Sequence, residues 1–281
     1  MHGRESLKGE FESTSAIRSV TPEFVPKPIA WGTYKSVADT HFYLAEFQPL
    51  GEDLPEPPVL CERLAMLHKN GTSPNGKFGF HAVTYNGDLP QDNTYTDTWE
   101  EFFANGLRHM LNINLERGGP CKELDAVTPS MFEKVIPRLL RPLETGANVL
   151  RPSLVHGDLW CGNAAINLDD DMPVVFDPCC FWAHNECKDS RSLFYTVYAY
   201  FDADELGNWR PERNKFSRSF FMAYHSHVPK ASPVEDYEHR NVLYSMQVDT
   251  DATRRPTAYS YSRFNLHAAS LFPDVSSYRE S

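Results

Sequence analysis

The chain has 281 residues, of which 41% are hydrophobic and 23% charged, a composition typical of a folded globular protein and not of a disordered or fibrous one. Its 27 Lys and Arg against 38 Asp and Glu give a formal net charge of −11, which excludes a general attraction to nucleic acids or anionic membranes. No apolar run approaches the ~20 residues of a membrane span, and the polar N-terminus lacks a signal-peptide core. Six scattered cysteines predict reduced thiols in a cytoplasmic protein.

The N-terminal part predicts one helix and two strands. Leu7, Phe11 and Ile17 have the spacing of an inward helical face. Aromatic and apolar runs then indicate strands, and four prolines indicate a linker. The predicted ranges are 5–18 for the helix, 29–34 and 42–47 for the strands, and 49–58 for the linker.

Helical periodicity dominates the rest of the chain. The predicted helices cover 59–68, a capping-box start at Thr98–Glu101 running to Gly118, a start at Thr128-Pro129 running toward Gly146 with a kink at Pro137, and then 190–201, 211–226, 234–247 and 263–272. Three short apolar strands interrupt this pattern at 153–155, 164–166 and 174–176. Helices that flank a small β-ribbon predict the α+β class.

The segment between these short strands carries side chains that suit phosphoryl transfer. Its pattern is His156-x-Asp158-x4-Asn163, and Asp177 follows the next strand. Asp158 can accept the proton of an attacking hydroxyl, whereas Asn163 and Asp177 offer oxygen ligands for a Mg²⁺ ion that bridges nucleotide phosphates. The alternative is that these residues only form turns, where Asp and Asn are common.

Residues 156–163 (His-Gly-Asp-Leu-Trp-Cys-Gly-Asn), together with Phe176-Asp-Pro178, resemble the catalytic loop and the metal-binding aspartate of the fructosamine/ketosamine kinase family. That family belongs to the aminoglycoside-phosphotransferase-like, protein-kinase-like superfamily. Trp160 separates this pattern from aminoglycoside and choline kinases. Further segments that resemble the family are 25–28, 43–46, 64–68, 78–80, 89–93 and 181–186.

The resemblance implies a protein-kinase-like two-lobe fold, with residues 1–50 as an incomplete small lobe and 51–281 as a large catalytic lobe with a helical substrate subdomain. It implies ATP-dependent phosphorylation of the sugar 3-hydroxyl of ketosamines (ribulosamine or fructosamine) on protein lysines or small amines, a deglycation repair reaction. The residue roles that it implies are Asp158 as general base, Asn163 and Asp177 as Mg²⁺ ligands, Glu46, Phe47 and Glu10 at the nucleotide, and Trp160, His156 and His184 at the substrate.

Two features of the sequence leave alternatives open. The Gly-rich hairpin and the Lys strand of kinase-like folds have no counterpart before residue 7, so Glu10 would be the partner of an absent lysine, and we expect this polypeptide alone to bind ATP weakly. Trp160 could brace the loop from within the core instead of stacking on sugar.

Other functions remain as alternatives. The chain could be a small-molecule kinase for an aminoglycoside or choline, or a non-catalytic binding protein that keeps only the large lobe. A zinc site at Cys179, Cys180, His184 and Cys187 is disfavoured, because the sequence lacks a paired-cysteine knuckle. No nucleic-acid or membrane partner is expected.

Overall fold

A computed structural model describes residues 2–186 and 215–246 of the chain. Within these two ranges it contains helices and four antiparallel two-stranded ribbons, so the predicted α+β class is confirmed. The helices predicted over 190–201 and 263–272 lie outside the described residues. None of the helices within the two described ranges has the length and apolar character needed to cross a membrane.

The elements follow one another in this order. They are α1 (His2–Val20), β1 (Pro28–Thr33), β2 (His41–Ala45), α2 (Pro57–Asn70), β3 (Tyr85–Asn86), β4 (Leu89–Pro90), α3 (Trp99–Gly118), α4 (Lys122–Ser130), a π-helical turn (Met131–Val135), α5 (Ile136–Leu140), a 3-10 turn (Arg141–Glu144), β5 (Ser153–Val155), a 3-10 turn (Cys161–Asn163), β6 (Ala164–Ile166), β7 (Pro173–Val175), β8 (Phe181–Ala183), α6 (Arg218–His227), a 3-10 turn (Val234–Asp236) and α7 (Tyr237–Met246).

Two ribbons frame the segment that carries the predicted chemistry. β5 pairs with β8, and β6 pairs with β7, both antiparallel. The loop from β5 to β6 and the loop from β7 to β8 therefore both connect the same two ribbons. The strand predictions for this part of the chain are confirmed to within a residue or two.

Aromatic side chains fill much of the core under these ribbons. Trp99 at the start of α3 packs against Phe103 and against Tyr244 of α7, and its indole nitrogen donates to the Tyr244 hydroxyl at 3.0 Å. The predicted start of α3 is confirmed, because the Thr98 side chain accepts a hydrogen bond from the backbone N–H of Glu101.

The predicted helix start at Thr128-Pro129 is wrong. α4 begins at Lys122, and Pro129 lies inside it near its end. A π-helical turn follows over Met131–Val135, and Pro137 stands in the first turn of α5. The junction residues Ser130, Val135 and Leu140 keep right-handed helical angles, so the segments form one continuous run toward Gly146 as expected. The hydrogen-bond pattern changes near the two prolines, which lack a backbone N–H donor.

Helix α1 buries a different face from the one that its large apolar residues indicate. Ile17 is fully buried as predicted, but Leu7 and Phe11 are only half-buried, whereas Gly9 and Ser13 are buried. A Cβ atom at position 9 would stand 2.5 Å from the carbonyl oxygen of Val83. The small residues on this face therefore let the backbone of the loop between α2 and β3 approach the helix closely.

Candidate active site

The loop after β5 brings Asp158 and Asn163 together. The Asn163 side-chain nitrogen donates to the backbone carbonyl of Asp158 at 2.8 Å and to its carboxylate Oδ2 at 3.0 Å. Asn163 is buried in the 3-10 turn that leads into β6, whereas Asp158 is partly exposed. The amide thus orients the Asp158 carboxylate through Oδ2, and the other oxygen, Oδ1, is a buried atom.

His156 joins this loop to the segment that contains Asp177. Its Nδ1 accepts from the backbone N–H of Asp158 at 3.2 Å, so Nε2 carries the proton and donates to the carbonyl of Phe176 at 3.0 Å. The backbone N–H of Phe176 in turn donates to the carbonyl of Asn163 at 3.1 Å. Phe176, the residue before Asp177, is therefore hydrogen-bonded to both His156 and Asn163, which fixes where the Asp177 backbone begins.

Gly157 allows the two segments to lie in contact. Its φ of +91° belongs to the region that favours glycine, and a Cβ atom here would stand 2.1 Å from the carbonyl oxygen of Cys179. The backbone N–H of Cys179 also donates to the carbonyl of His156 at 2.9 Å. A side chain at position 157 would push the Asp177 segment away from the loop.

Helix α1 places a second carboxylate beside Asp177. Burial, and after it the charge of Asp177, raise the pKa of Glu10 to about 7. Burial also raises the pKa of Asp177. Tyr43 of β2 lies next to both acids; burial raises the pKa of its phenol, and a hydrogen bond with Thr14 opposes this. The sequence analysis did not assign Tyr43 a role, although it lies in the segment that resembles the hinge.

Trp160 lies across its own loop. A Cβ atom at Gly162 would stand 2.3 Å from Cη2 and 2.4 Å from Cζ2 of the Trp160 indole. Trp160 is half-buried and lies two residues after Asp158 in the chain. This arrangement suits stacking on a bound sugar, and that role stays a prediction.

The substrate-contact prediction for His184 needs correction. His184 is 0% exposed, and its Nδ1 hydrogen-bonds the Tyr244 hydroxyl at 2.9 Å. Burial, and then the charge of Arg240, hold the pKa of His184 well below its usual range, so it is a neutral core residue that no substrate can reach. His156 is also buried, and its two ring contacts make it a residue that positions the loop.

Glu46 and Phe47 are exposed at the end of β2. The backbone N–H of Glu46 donates to the carbonyl of Lys27 at 2.9 Å, and Phe47 is 88% exposed. The chain then crosses to the β6–β7 ribbon, where Pro49 accepts from the N–H of Leu168 at 2.8 Å. This path resembles a hinge between two lobes. Contact of Glu46 and Phe47 with a nucleotide and the lobe division at residue 50 stay predictions.

The donor set suits Mg²⁺ better than zinc. The nitrogen of the Asn163 amide is engaged with Asp158, so its oxygen could join the Asp177 carboxylate as a ligand, and Mg²⁺ takes few protein oxygens when phosphates supply the rest. No group of three or more His, Cys, Asp or Glu side chains in the described ranges could hold a metal ion. The zinc alternative gains no support there, and Cys187 lies outside the described residues.

A family model described as fructosamine kinase matches residues 2–203, which is more than half of the chain. The chain belongs to the fructosamine kinase family. The match covers β5 to β8 and therefore the whole segment from His156 to Asp177. The resemblance drawn from the catalytic-loop sequence is confirmed.

Proteins with sequences similar to this chain are named as kinases. A ketosamine-3-kinase of Mus musculus is 31% identical over 264 residues, which cover 86% of this chain and 76% of that protein. A chloroplastic protein-ribulosamine 3-kinase of Oryza sativa subsp. indica is 31% identical over 207 residues, which cover 70% of this chain. The chain spans 56% of the length of that rice protein.

Solved structures share the fold of this fructosamine kinase family member. A protein assigned as a fructosamine-3-kinase from Haemophilus somnus 129PT aligns with a TM-score of 0.66 at 20% identity, covering 96% of this chain and 80% of that one. A second from Thermobifida fusca YX-ER1 aligns with a TM-score of 0.64 at 23% identity, covering 94% and 79%. At 20% and 23% sequence identity, this similarity establishes a shared fold and nothing further.

Proposed function

We propose that this protein transfers the γ-phosphoryl group of ATP to the sugar 3-hydroxyl of a ketosamine, a fructosamine or ribulosamine carried by a protein lysine or a small amine. One observation carries the proposal. The Asn163 amide holds the Asp158 carboxylate at 3.0 Å within a loop that is hydrogen-bonded to the residue before Asp177. The family and the names of the relatives point to the same chemistry.

The proposed base is Asp158. Its carboxylate accepts the proton of the attacking hydroxyl, and the bond from the Asn163 amide to Oδ2 sets the orientation of the carboxylate. Mg²⁺ with ATP would supply the phosphoryl group and neutralise charge on the phosphates. Asn163 and Asp177 are the side chains that would hold this ion. His156 holds the segment before Asp177 through the Phe176 carbonyl, and the N–H of Phe176 donates to the carbonyl of Asn163.

The proposed substrate platform is Trp160. Its indole is held against Gly162, and a flat aromatic surface of this kind favours the apolar face of a sugar ring. Nothing in the described residues favours an aminoglycoside or choline as acceptor over a ketosamine. The cytoplasmic location stays a prediction from the cysteine pattern.

The experiment that tests the proposed function identifies the product. The chain is incubated with Mg²⁺ and ATP and, in separate reactions, with a fructosyl-lysine peptide, a ribulosyl-lysine peptide, kanamycin or choline, and each product is examined by ³¹P NMR. We expect a sugar 3-phosphate from one or both ketosamine peptides only. Phosphorylation of kanamycin or choline alone would replace this proposal with a small-molecule kinase, and ATP binding with no transfer to any acceptor would favour a binding protein.

A further inference from the structure

The segment from Leu89 to Asn93 resembles the family, but the proposed chemistry assigns it no task. Gln91 follows directly on β4 and is 3% exposed. Its side-chain nitrogen lies 3.0 Å from Sγ and 3.5 Å from the carbonyl oxygen of Cys179. Its Oε1 has no hydrogen-bond partner among the residues that the structure describes. The contacts with Cys179 are therefore what orients this buried amide.

Gln91 is itself held firmly to the loop that carries it. Its backbone N–H donates to the carbonyl of Thr84 at 2.9 Å. The Asn93 side-chain nitrogen donates to the Thr84 hydroxyl at 2.7 Å and to the carbonyl of Ala82 at 2.9 Å. These bonds tie the chain after β4 to the chain before β3, and so hold the backbone that carries the Gln91 amide beside Cys179.

The backbone at Cys179 and Cys180 is held from two further sides. The N–H of Cys179 donates to the carbonyl of His156 in the catalytic loop. The N–H of Cys180 donates to the hydroxyl of Ser13 on α1 at 2.9 Å. Gln91 completes this arrangement from the hairpin. Three separate parts of the chain thus fix the backbone two residues after Asp177.

Asp177 needs such support because its backbone is unusual. Its φ of +55° lies in the left-handed region, which is uncommon for residues other than glycine, although aspartate adopts it more readily than most. The carbonyl of Phe176 is held by His156 on the other side. The direction of the Asp177 carboxylate therefore depends on what holds the chain before it and after it.

We propose that Gln91 is a positioning residue that fixes the backbone of Asp177 through Cys179, and so sets the geometry of the Asp177 carboxylate. The expected consequence of this positioning, which is uptake of metal and nucleotide, rests on the proposed function. The positioning itself concerns only the backbone of residues 176–182 and does not depend on that function.

The test uses two substitutions and a matched control. Gln91→Met keeps the length of the side chain and removes the amide, and Gln91→Glu keeps its shape and places a carboxylate against the Cys179 carbonyl. Asn148→Asp is the control, because the Asn148 amide donates to a backbone carbonyl, that of Pro142 at 2.8 Å, away from this segment. Hydrogen–deuterium exchange is followed in peptides covering 176–182, and uptake of Mn²⁺ with ADP is followed by electron paramagnetic resonance.

We expect amide exchange in 176–182 to rise about 10-fold in Gln91→Met, with Mn²⁺ affinity falling by about 10-fold, the size typical of residues that orient metal ligands. The Asn148→Asp control should leave both unchanged. If Gln91→Glu fails to fold, Gln91→Met alone decides. Unchanged exchange in 176–182 would overturn the proposal. If the wild-type chain takes up no Mn²⁺ with ADP and phosphorylates no ketosamine, the proposed function fails while the exchange result still decides the role of Gln91.

Discussion

The Glu10 carboxyl on α1 lies within electrostatic reach of Asp177 in the loop after β7, because burial and, after it, the charge of Asp177 raise the pKa of Glu10 to about 7. Two acids in this arrangement cannot both be ionised without a free-energy cost. A cation that lies between them would remove that cost. The electrostatics of this corner therefore favour a positively charged ligand or side chain.

This relationship predicts a pH-dependent stability. The folded-state pKa of Glu10 lies above its ordinary value of 4.5, so the fold favours its protonated form. The contribution is fully present below about pH 4.5 and is lost as the pH rises through about 7. The loss amounts to on the order of 2–3 kcal/mol in the free energy of unfolding.

Glu10→Gln should remove this part of the pH dependence, because the amide mimics the protonated acid. Urea unfolding at pH 4 and pH 8 measures it, and we expect the variant to gain stability over wild type at pH 8 and to match it at pH 4. Glu5→Gln, an exposed position on the same helix, is the control and should not differ from wild type. An equal effect of Glu10→Gln at both pH values would contradict the prediction.

Gly162→Ala should affect substrate binding more than nucleotide binding. The added methyl group would displace the Trp160 indole, which occupies the space 2.3 Å from the Cβ position. If the indole stacks on the sugar, KM for the ketosamine rises about 2- to 10-fold, the equivalent of one aromatic contact, while KM for ATP stays within a factor of two. Steady-state kinetics with each substrate varied in turn measures both constants.

Gly118→Ala is the matched control for this experiment. Gly118 ends α3, and a Cβ atom there meets only the side-chain oxygen of Asn114 at 3.5 Å, an ordinary contact. Its kinetics should equal those of wild type. A parallel rise of both KM values in Gly162→Ala would show that the loop as a whole has moved and that Trp160 has no separate role.

The ion pair of Glu186 with Arg240 should be essential for stability. Arg240 is 0% exposed; its Nε and Nη2 lie 3.0 and 2.9 Å from Glu186 Oε2, and its guanidinium also donates to the carbonyls of Ala231 and Pro233. Arg240→Met would leave a buried carboxylate without its partner, which destabilises proteins by about 3–5 kcal/mol.

Chemical unfolding measures this effect, with Arg141→Met as the control. Arg141 also makes a two-bond ion pair, with Glu100, but it is exposed to solvent, and exposed pairs contribute little. We expect a marked loss of stability for Arg240→Met only. Comparable, small effects of the two substitutions would show that the buried pair does not hold the fold together.

Much of the site could be predicted because its residues are close in sequence. The loop from His156 to Asn163 and the strands on either side form a local unit, so the residue types and their spacing indicate which side chains converge. The relation of Glu10 to Asp177 was not predicted from spacing, because it depends on how α1 packs against a loop more than 160 residues later. The family resemblance assigned Glu10 a nucleotide role and did not name Asp177 as its neighbour.

The errors have physical causes. His184 stands next to a chemically important segment, but β8 turns it into the core, where Tyr244 and Arg240 surround it. Ser13 was missed because a serine on a helix carries no apolar signal. The spacing of Gly9, Ser13 and Ile17 does indicate one face at intervals of four residues, and small residues along such a face indicate close backbone approach.

The central claim is that Asp158 acts as the base in phosphoryl transfer beside Asn163 and Asp177. Single-turnover transfer from saturating Mg·ATP to a ketosamine peptide, with nucleotide affinity measured in the same samples, compares wild type, Asp158→Asn and the exposed control Asp169→Asn. We predict that Asp158→Asn keeps its nucleotide affinity and loses about 10²- to 10⁴-fold in the rate of transfer, while Asp169→Asn keeps both. Transfer by Asp158→Asn at the wild-type rate would contradict the account.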